Sequence, residues 1–268
     1  MAFKTSDEIV KTVCVAGHGK SLIPLNKLIV LSFLAGAYIA FGGLLAVVVG
    51  GGIPEIKAAH PGLAKLIFGS VFPLGLILVV VAGAELFTGN AACMIPGLFD
   101  GRIRWGGLAY NWSLSFIGNF IGSVFVAYFL AYMTGLLAAD PWRSSIVALA
   151  EAKIKGEFWP LFFKGVGCNW LVCLAVWMAI ASEDVTGKIL SAWWPIMAFV
   201  TLGLEHSVAN MFFVPAGMFY GAKVTWGQFL VNNLVPVTAG NIVGGALFVG
   251  LLYAYVHVPK RKNCGESE

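Results

Sequence analysis

From Ile189 to Ala222 the chain runs 34 residues with a single charged side chain, Glu205, and the next residue is His206. An ionisable group at membrane depth is expensive and marks a functional site by default. The same pattern occurs twice. Gly83, Glu85 and Asn90 recur as Gly203, Glu205 and Asn210, each displaced by 120 positions (203 − 83 = 120). One copy carries His206 where the other carries Leu86.

The rest of the chain is built of similar material. Only 11% of its 268 residues are charged, against about 25% in an ordinary soluble domain, and the mean hydropathy is +0.86. The chain is expected to be an all-α integral membrane protein. Leu28 to Val49 is 22 residues without a charge, enough for a hydrocarbon core that needs roughly 20. Further stretches follow at 66–99, 105–139, 165–182, 189–222 and 224–258, which makes six spans.

The second and fifth stretches are each 34 residues long with one interior acid; the third and sixth are each 35 and share Gly118-Asn119-x-x-Gly122 and Gly240-Asn241-x-x-Gly244. This is an internal repeat of three spans. An odd number of crossings sends the second copy through the membrane in the opposite direction, so the halves form an inverted pair. The expected layout is a single membrane domain: an N-terminal segment (1–27), a first three-helix repeat (28–139), an outer loop (140–164), a second repeat (165–258) and a tail (259–268). The Gly-Asn-x-x-Gly motifs read as packing devices, their small residues allowing close approach and their amides bonding across helices or to freed backbone.

The second and fifth spans are longer than one crossing and have glycine and polar clusters near their middles. Irregular backbone at membrane depth persists only when buried in protein or lining a watery cavity. The clusters Glu85 to Asn90 and Glu205 to Ser207 are therefore expected breaks. Half-helix termini at a break present N–H groups and a positive dipole end to an anion, and an inverted pair of broken helices points to a translocation site. Glu85 and Glu205, with Asn90 and Asn210, read as support for the breaks, because they occur in both halves. His206 has no counterpart, and imidazole exchanges protons near physiological pH. The Thr88 hydroxyl is placed to bond either His206 or the permeant.

Basic residues set the orientation. With the N-terminus inside, ten lie on the cytoplasmic side (Lys4, Lys11, Lys20, Lys27, Arg102, Arg104, Lys188, Lys260, Arg261, Lys262) and seven outside (Lys57, Lys65, Arg143, Lys153, Lys155, Lys164, Lys223). Both termini are expected to be cytoplasmic in a plasma-membrane protein. Four lysines precede the first span and no small-residue cleavage site follows it, so the N-terminus is expected to stay attached. Thr5-Ser-Asp-Glu8 followed by Ile9, Val10, Val13 and Cys14 predicts a capped amphipathic helix on the membrane surface, serving as an anchor or a gate. The charge of +4 suits anionic lipid, and no nucleic-acid partner is expected. Cys14, Cys93, Cys168, Cys173 and Cys264 include no CxxC pair and read as packing residues; no metal or other cofactor is expected.

The segments Gly83 to Gly89 (Gly-Ala-Glu-Leu-Phe-Thr-Gly), Gly165 to Ala175 (Gly-Val-Gly-Cys-Asn-Trp-Leu-Val-Cys-Leu-Ala) and Glu205 to Met211 (Glu-His-Ser-Val-Ala-Asn-Met) resemble the two signature segments and the central histidine motif of the formate/nitrite transporter family. The resemblance covers about Leu28 to Val256. It implies an aquaporin-like protomer of six helices, assembled as a homopentamer with one pore per protomer. It places His206 at the pore centre with Thr88 beside it, Leu76 and Leu86 at a cytoplasmic constriction, and Phe72 and Phe199 at an outer one. It puts Asn169 near the pore and Lys153 where a lysine draws anions into the outer vestibule. Pro73 stands where some members carry a small polar residue, so the shape of the outer constriction does not carry over.

These residues suit passage of a small monovalent weak-acid anion, with the proton either coupled to transport or taken up transiently. Formate is placed first, with nitrite and hydrosulfide as alternatives of the same chemistry. The chain is not expected to be an enzyme. From another class, a haem-bearing oxidoreductase subunit needs axial ligands facing each other in the bilayer, whereas His18 and His60 read as loop residues, His257 ends a span and His206 alone is deep. A neutral-solute channel of the aquaporin type carries paired Asn-Pro-Ala motifs, and this sequence has none.

Overall fold

The computed structural model describes residues 3–258; Lys260, Arg261, Lys262 and Cys264, assigned above to the tail, lie outside the described residues. Among the described residues the chain is helical, with one isolated bridge between Phe3 and Ser182. Helix α1 (Ser6–Ser21) opens with the expected capping box: Thr5 and Glu8 bond reciprocally, and these bonds hold the Glu8 carboxyl below its usual range. The buried side of α1 is Ile9, Val10, Val13 and Cys14, the face read from the sequence. His18, read as a loop residue, sits in its last turn.

Helix α2 (Leu25–Gly51) is the first span, and the short α3 (Pro54–Ala59) leads into the second. The second span is in four pieces: α4 (Pro61–Val71), α5 (Leu74–Ala82), α6 (Phe87–Cys93) and α7 (Ile95–Phe99). Its first interruption, at Phe72-Pro73, coincides with a residue that has no N–H to donate. The second is the expected break, confined to Gly83–Leu86. Helix α8 (Trp105–Phe125) continues as a π-helical turn, Val126–Tyr132, to complete the third span.

Helix α9 (Trp142–Lys153) lies between the halves, and α10 (Phe158–Ala181) is the fourth span. The fourth span therefore begins at Phe158 and not at Gly165. Lys164 sits within α10, and a boundary drawn at the nearest charge cut the helix short. The fifth span is α11 (Val185–Leu202) and α12 (Ser207–Phe219), parted at Gly203–His206. The sixth runs from Trp226 to His257 through α13 (Trp226–Gln228), α14 (Val235–Gly245) and α15 (Leu252–His257), with π-helical turns at Phe229–Leu234 and Ala246–Leu251.

Both breaks are shorter than the polar clusters that announced them, because Phe87 to Asn90 and Ser207 already belong to α6 and α12. Each break opens on a glycine in a backbone region that L side chains rarely adopt, Gly83 at φ 81° and Gly203 at φ 76°. The breaks also fall late in their spans. The pieces before them, Pro61–Ala82 and Val185–Leu202, include Lys65 and Lys188 and so start outside the uncharged core.

The spans pack in matching pairs. Helix α2 lies along α8, and α10 lies along α14, in the two most extensive contacts of the molecule. The Gly-Asn-x-x-Gly motifs make both possible. A Cβ on Gly122 would sit 2.0 Å from the Phe33 carbonyl oxygen, and one on Gly244 would sit 2.2 Å from that of Val166. The equivalence extends beyond the three-span repeat: α1 packs on α7 as α9 packs on α12. Each half is thus an amphipathic helix followed by three spans.

Because Phe33 presents backbone to Gly122, Gly122→Ala forces α2 and α8 apart, and overpacking of this kind costs about 1–3 kcal/mol. We expect a lower unfolding temperature for detergent-solubilised Gly122→Ala, followed by tryptophan fluorescence. Gly106→Ala, whose new methyl group meets nothing within 4 Å, is expected to melt with the wild type.

Candidate functional site

A break in a membrane helix frees backbone groups that must be paired within the protein. Asn119 pairs them in the first half. Its Oδ1 accepts the Phe87 N–H at 2.9 Å, and its Nδ2 donates to the Glu85 carbonyl at 3.0 Å and the Ser32 carbonyl at 2.7 Å. Asn241 does the same in the second half, accepting from the Ser207 N–H at 2.8 Å and donating to the Glu205 and Gly165 carbonyls at 2.9 Å each. The N–H groups of Glu85 and Glu205 reach out of the breaks to the carbonyls of Leu31 and Lys164.

The two glutamates are buried and tied in equivalent ways. Glu85 accepts from Lys20 Nζ at 2.5 Å and from Asn90 Nδ2 at 2.8 Å; Glu205 accepts from Lys153 Nζ at 2.8 Å and from Asn210 Nδ2 at 2.7 Å. Each asparagine also bonds a second one, Asn90 to Asn111 and Asn210 to Asn233. Asn111 and Asn233 in turn donate to the carbonyls of Lys20 and Lys153. The acids therefore bond lysine and asparagine side chains, and the freed backbone groups are served by Asn119 and Asn241. Lys20 comes from α1 and Lys153 from α9, so each amphipathic helix is latched by an ion pair to the break of its own half.

His206 occupies the N-cap of α12. Its Nδ1 accepts the Ala209 N–H at 3.0 Å. A backbone N–H only donates, so Nδ1 carries a lone pair and the ring proton of the neutral imidazole is on Nε2. That Nε2–H lies 3.0 Å from Thr88 Oγ1 and donates to it. The Thr88 hydroxyl is thereby left to donate its own proton onward. The equivalent cap of α6 is Leu86, which makes no side-chain cap bond.

Aromatic rings stack on one side of His206. Phe199 lies nearly parallel to the imidazole with centroids 5.8 Å apart, Phe72 meets Phe199 edge-on at 5.9 Å, and Phe213 lies 6.2 Å from Phe72. These rings and His206 form the floor of a cavity of about 630 Å³, whose walls include Lys57, Lys65, Lys153, Lys164 and Glu205. Leu76 and Leu86 are buried in the same apolar cluster as Phe72 and Phe199.

Two residues take places their sequence positions did not announce. Lys153 is held by Glu205 and lies over the Phe213 ring at 5.9 Å from its centroid, so much of its charge is compensated. The exposed cations of the cavity wall are Lys57, Lys65 and Lys164. Asn169 is fully buried away from the cavity; its Nδ2 donates to the Thr88 carbonyl at 3.0 Å and the Asn241 carbonyl at 2.6 Å. It holds the backbone of Thr88, aided by Cys173, whose Sγ donates to the same carbonyl at 3.3 Å.

Sequence reasoning missed Lys164, Lys20, Asn111 and Asn233. The asparagines had a signal, since 111 and 233 stand 122 apart, as do Asn119 and Asn241 (241 − 119 = 122). Lys20 and Lys153 stand 133 apart (153 − 20 = 133), as do Ser32 and Gly165.

The sequence profile described as formate/nitrite transporter matches residues 7–255. A probable formate transporter of Methanothermobacter thermautotrophicus is 54% identical over 272 residues, covering 96% of this chain and 98% of its own. Among solved structures, an FNT family ion channel aligns at a TM-score of 0.84 with 36% identity, over 93% of this chain and 98% of that one. A pentameric formate channel with formate bound aligns at 0.77 with 32% identity, over 88% and 98%.

Breaking a buried ion pair leaves an uncompensated charge, whereas removing both partners is far less costly. Lys153→Met and Glu205→Gln are each expected to lower the unfolding temperature of the detergent-solubilised protein, and the double variant to recover much of the loss. A double variant that simply adds the two losses would show that the pair is not coupled.

Proposed function

Because the chain belongs to the formate/nitrite transporter family, whose members are channels and transporters and not enzymes, we propose that it is a channel for a small monovalent weak-acid anion, formate first. We place it in the plasma membrane with both termini cytoplasmic, as an aquaporin-like protomer of a homopentamer. The pentamer is supported by the likeness to a pentameric formate channel. The observation that carries the reading is His206: a neutral hydrogen-bond donor fixed at a half-helix terminus, with phenylalanines on one side and leucines on the other.

Lys57, Lys65 and Lys164 raise the local concentration of anions in the outer cavity, a role that Lys153 shares little because Glu205 compensates it. The slit below excludes the bare anion. Desolvating a carboxylate costs several kcal/mol even after the protein relaxes. Neutralising an acid whose pKa lies about three units below neutral pH costs roughly 4 kcal/mol, at about 1.36 kcal/mol per unit. The neutral acid is thus the species that crosses.

The proton comes from water in the cavity. Neutral His206 has one ring proton, on Nε2, and giving it up would leave an imidazolate. Its Nδ1 lone pair is already engaged by Ala209, so picking up a proton there would break the cap of α12. The Thr88 hydroxyl, whose oxygen accepts from His206 Nε2–H, instead donates a hydrogen bond to the permeant as it changes protonation state. Asn169, through the Thr88 carbonyl, positions the hydroxyl.

Proteoliposomes challenged with formate, nitrite and hydrosulfide across a pH series test these assignments. Formate uptake is expected to keep rising as pH falls through 5; a plateau near the imidazole range of about 6.5 would make His206 the proton donor. His206→Phe should reduce flux about tenfold or more, since it removes the hydrogen bond that fixes the Thr88 hydroxyl and the side-chain cap of α12, each worth about 1 kcal/mol. Wild-type rates in that variant would refute the histidine's role. Lys164→Gln should raise the half-saturating anion concentration at low salt and match the wild type at about 1 M salt, where screening is nearly complete.

A further inference from the structure

On the periphery of the molecule, where the second span ends and the third begins, lies a second cavity of about 640 Å³. Its walls include Phe99, Ile103, Arg104 and Trp105 on one side and Leu247 and Leu251 on the other. Phe99, Trp105, Leu247 and Leu251 are exposed, Trp105 at 74%. We propose that this groove binds an anionic phospholipid, with one acyl chain between Phe99 and the sixth span and the phosphate on Arg104.

The internal equivalence shows what the groove lacks. Phe99 corresponds to Phe219 (219 − 99 = 120), and Phe219 is covered by Tyr128 at 5.1 Å and Tyr132 at 5.9 Å between ring centroids. The counterparts of those tyrosines, 122 positions on, are Gly250 and Ala254, and Leu247 and Leu251 replace Phe125 and Phe129. One half closes this surface with its own aromatic rings. The other leaves an apolar slot between helices in the same place.

Position and charge identify the occupant. Trp105 starts a membrane span, and exposed tryptophan at a span end sits at headgroup level. From Leu247 to the span end at His257 is on the order of 15 Å at 1.5 Å per residue, about half of a hydrocarbon core near 30 Å; the slot therefore lies within one leaflet. At its polar end, Arg102 is paired with Asp100, whereas Arg104 has no carboxylate within ion-pair distance among the described residues. A cation at headgroup depth above an apolar slot is complementary to a lipid phosphate and its chain. The assignment is independent of which anion the pore conducts.

The test is native mass spectrometry of the purified protein equilibrated with equal amounts of phosphatidylglycerol and phosphatidylethanolamine. The wild type is expected to retain phosphatidylglycerol by about fivefold, the preference that one basic residue gives at a membrane surface. Arg104→Gln should bring the two lipids to parity. The double variant Leu247→Phe/Leu251→Phe, which copies the other half, should retain less of both lipids with unchanged oligomer mass and anion flux. An undiminished preference in Arg104→Gln overturns the assignment, and that surface substitution still decides the matter if the double variant does not fold. Lipid retention unchanged in a folded double variant overturns it as well. So does dissociation of the oligomer in the double variant, since the groove would then be a contact between copies of the chain.

Discussion

Everything at the centre of this molecule depends on two side-chain amides. A helix interrupted inside a bilayer exposes carbonyls on one side of the break and N–H groups on the other, and each one left bare costs several kcal/mol. Asn119 and Asn241 each take one of both kinds and anchor the result to a neighbouring span. With the breaks stable, α6 and α12 can begin inside the protein. Only then is there a half-helix terminus at depth for His206 to cap and for an anion to approach.

The constraint also explains the placement of charge. A buried glutamate beside each break is tolerable because a lysine reaches it from an amphipathic helix, and the four-membered set of Lys, Glu, Asn and Asn satisfies most of the polar atoms it buries. A lysine at low dielectric needs a partner at least as much as the acid does. Lys153 is accordingly the counter-charge of Glu205, and α1 and α9 are struts that bring cations to the breaks.

The spans and the breaks were legible in the sequence because they rest on local signals: uncharged runs, glycines and repeated acids; the Thr88–His206 bond joins residues 118 positions apart and was one of two partners left open for the hydroxyl. The partners of Glu85 and Glu205 were not, because Lys20 and Lys153 lie 65 and 52 positions away and look like ordinary loop charges until the fold brings them inward. Lys164 ended the fourth span too early for a related reason. A charge count treats every lysine as a boundary, whereas one that faces a water-filled cavity can sit within a membrane helix. Asn169, placed near the pore by the family resemblance, is joined to it by a bond to the Thr88 carbonyl, a partner that no local signal announces.

The differences between the two halves carry the chemistry. Leu86 faces His206 across the equivalence, Val208 stands opposite Thr88, and Gly36 opposite Asn169. In the first half Gly36 lets α8 approach to backbone distance, where a Cβ would lie 2.1 Å from the Asn119 carbonyl oxygen. In the second half the same station holds an amide that reaches both Asn241 and Thr88. These substitutions put one polar pair, imidazole and hydroxyl, at the junction of two otherwise apolar half-helix ends. On the proposed function this pair serves a weak acid: more polar groups would admit the hydrated anion, and none would leave the acid's oxygens without a partner in the slit. The scaffold supplies symmetry because both breaks face the same backbone problem, and on the proposed function the halves have to differ where the permeant passes.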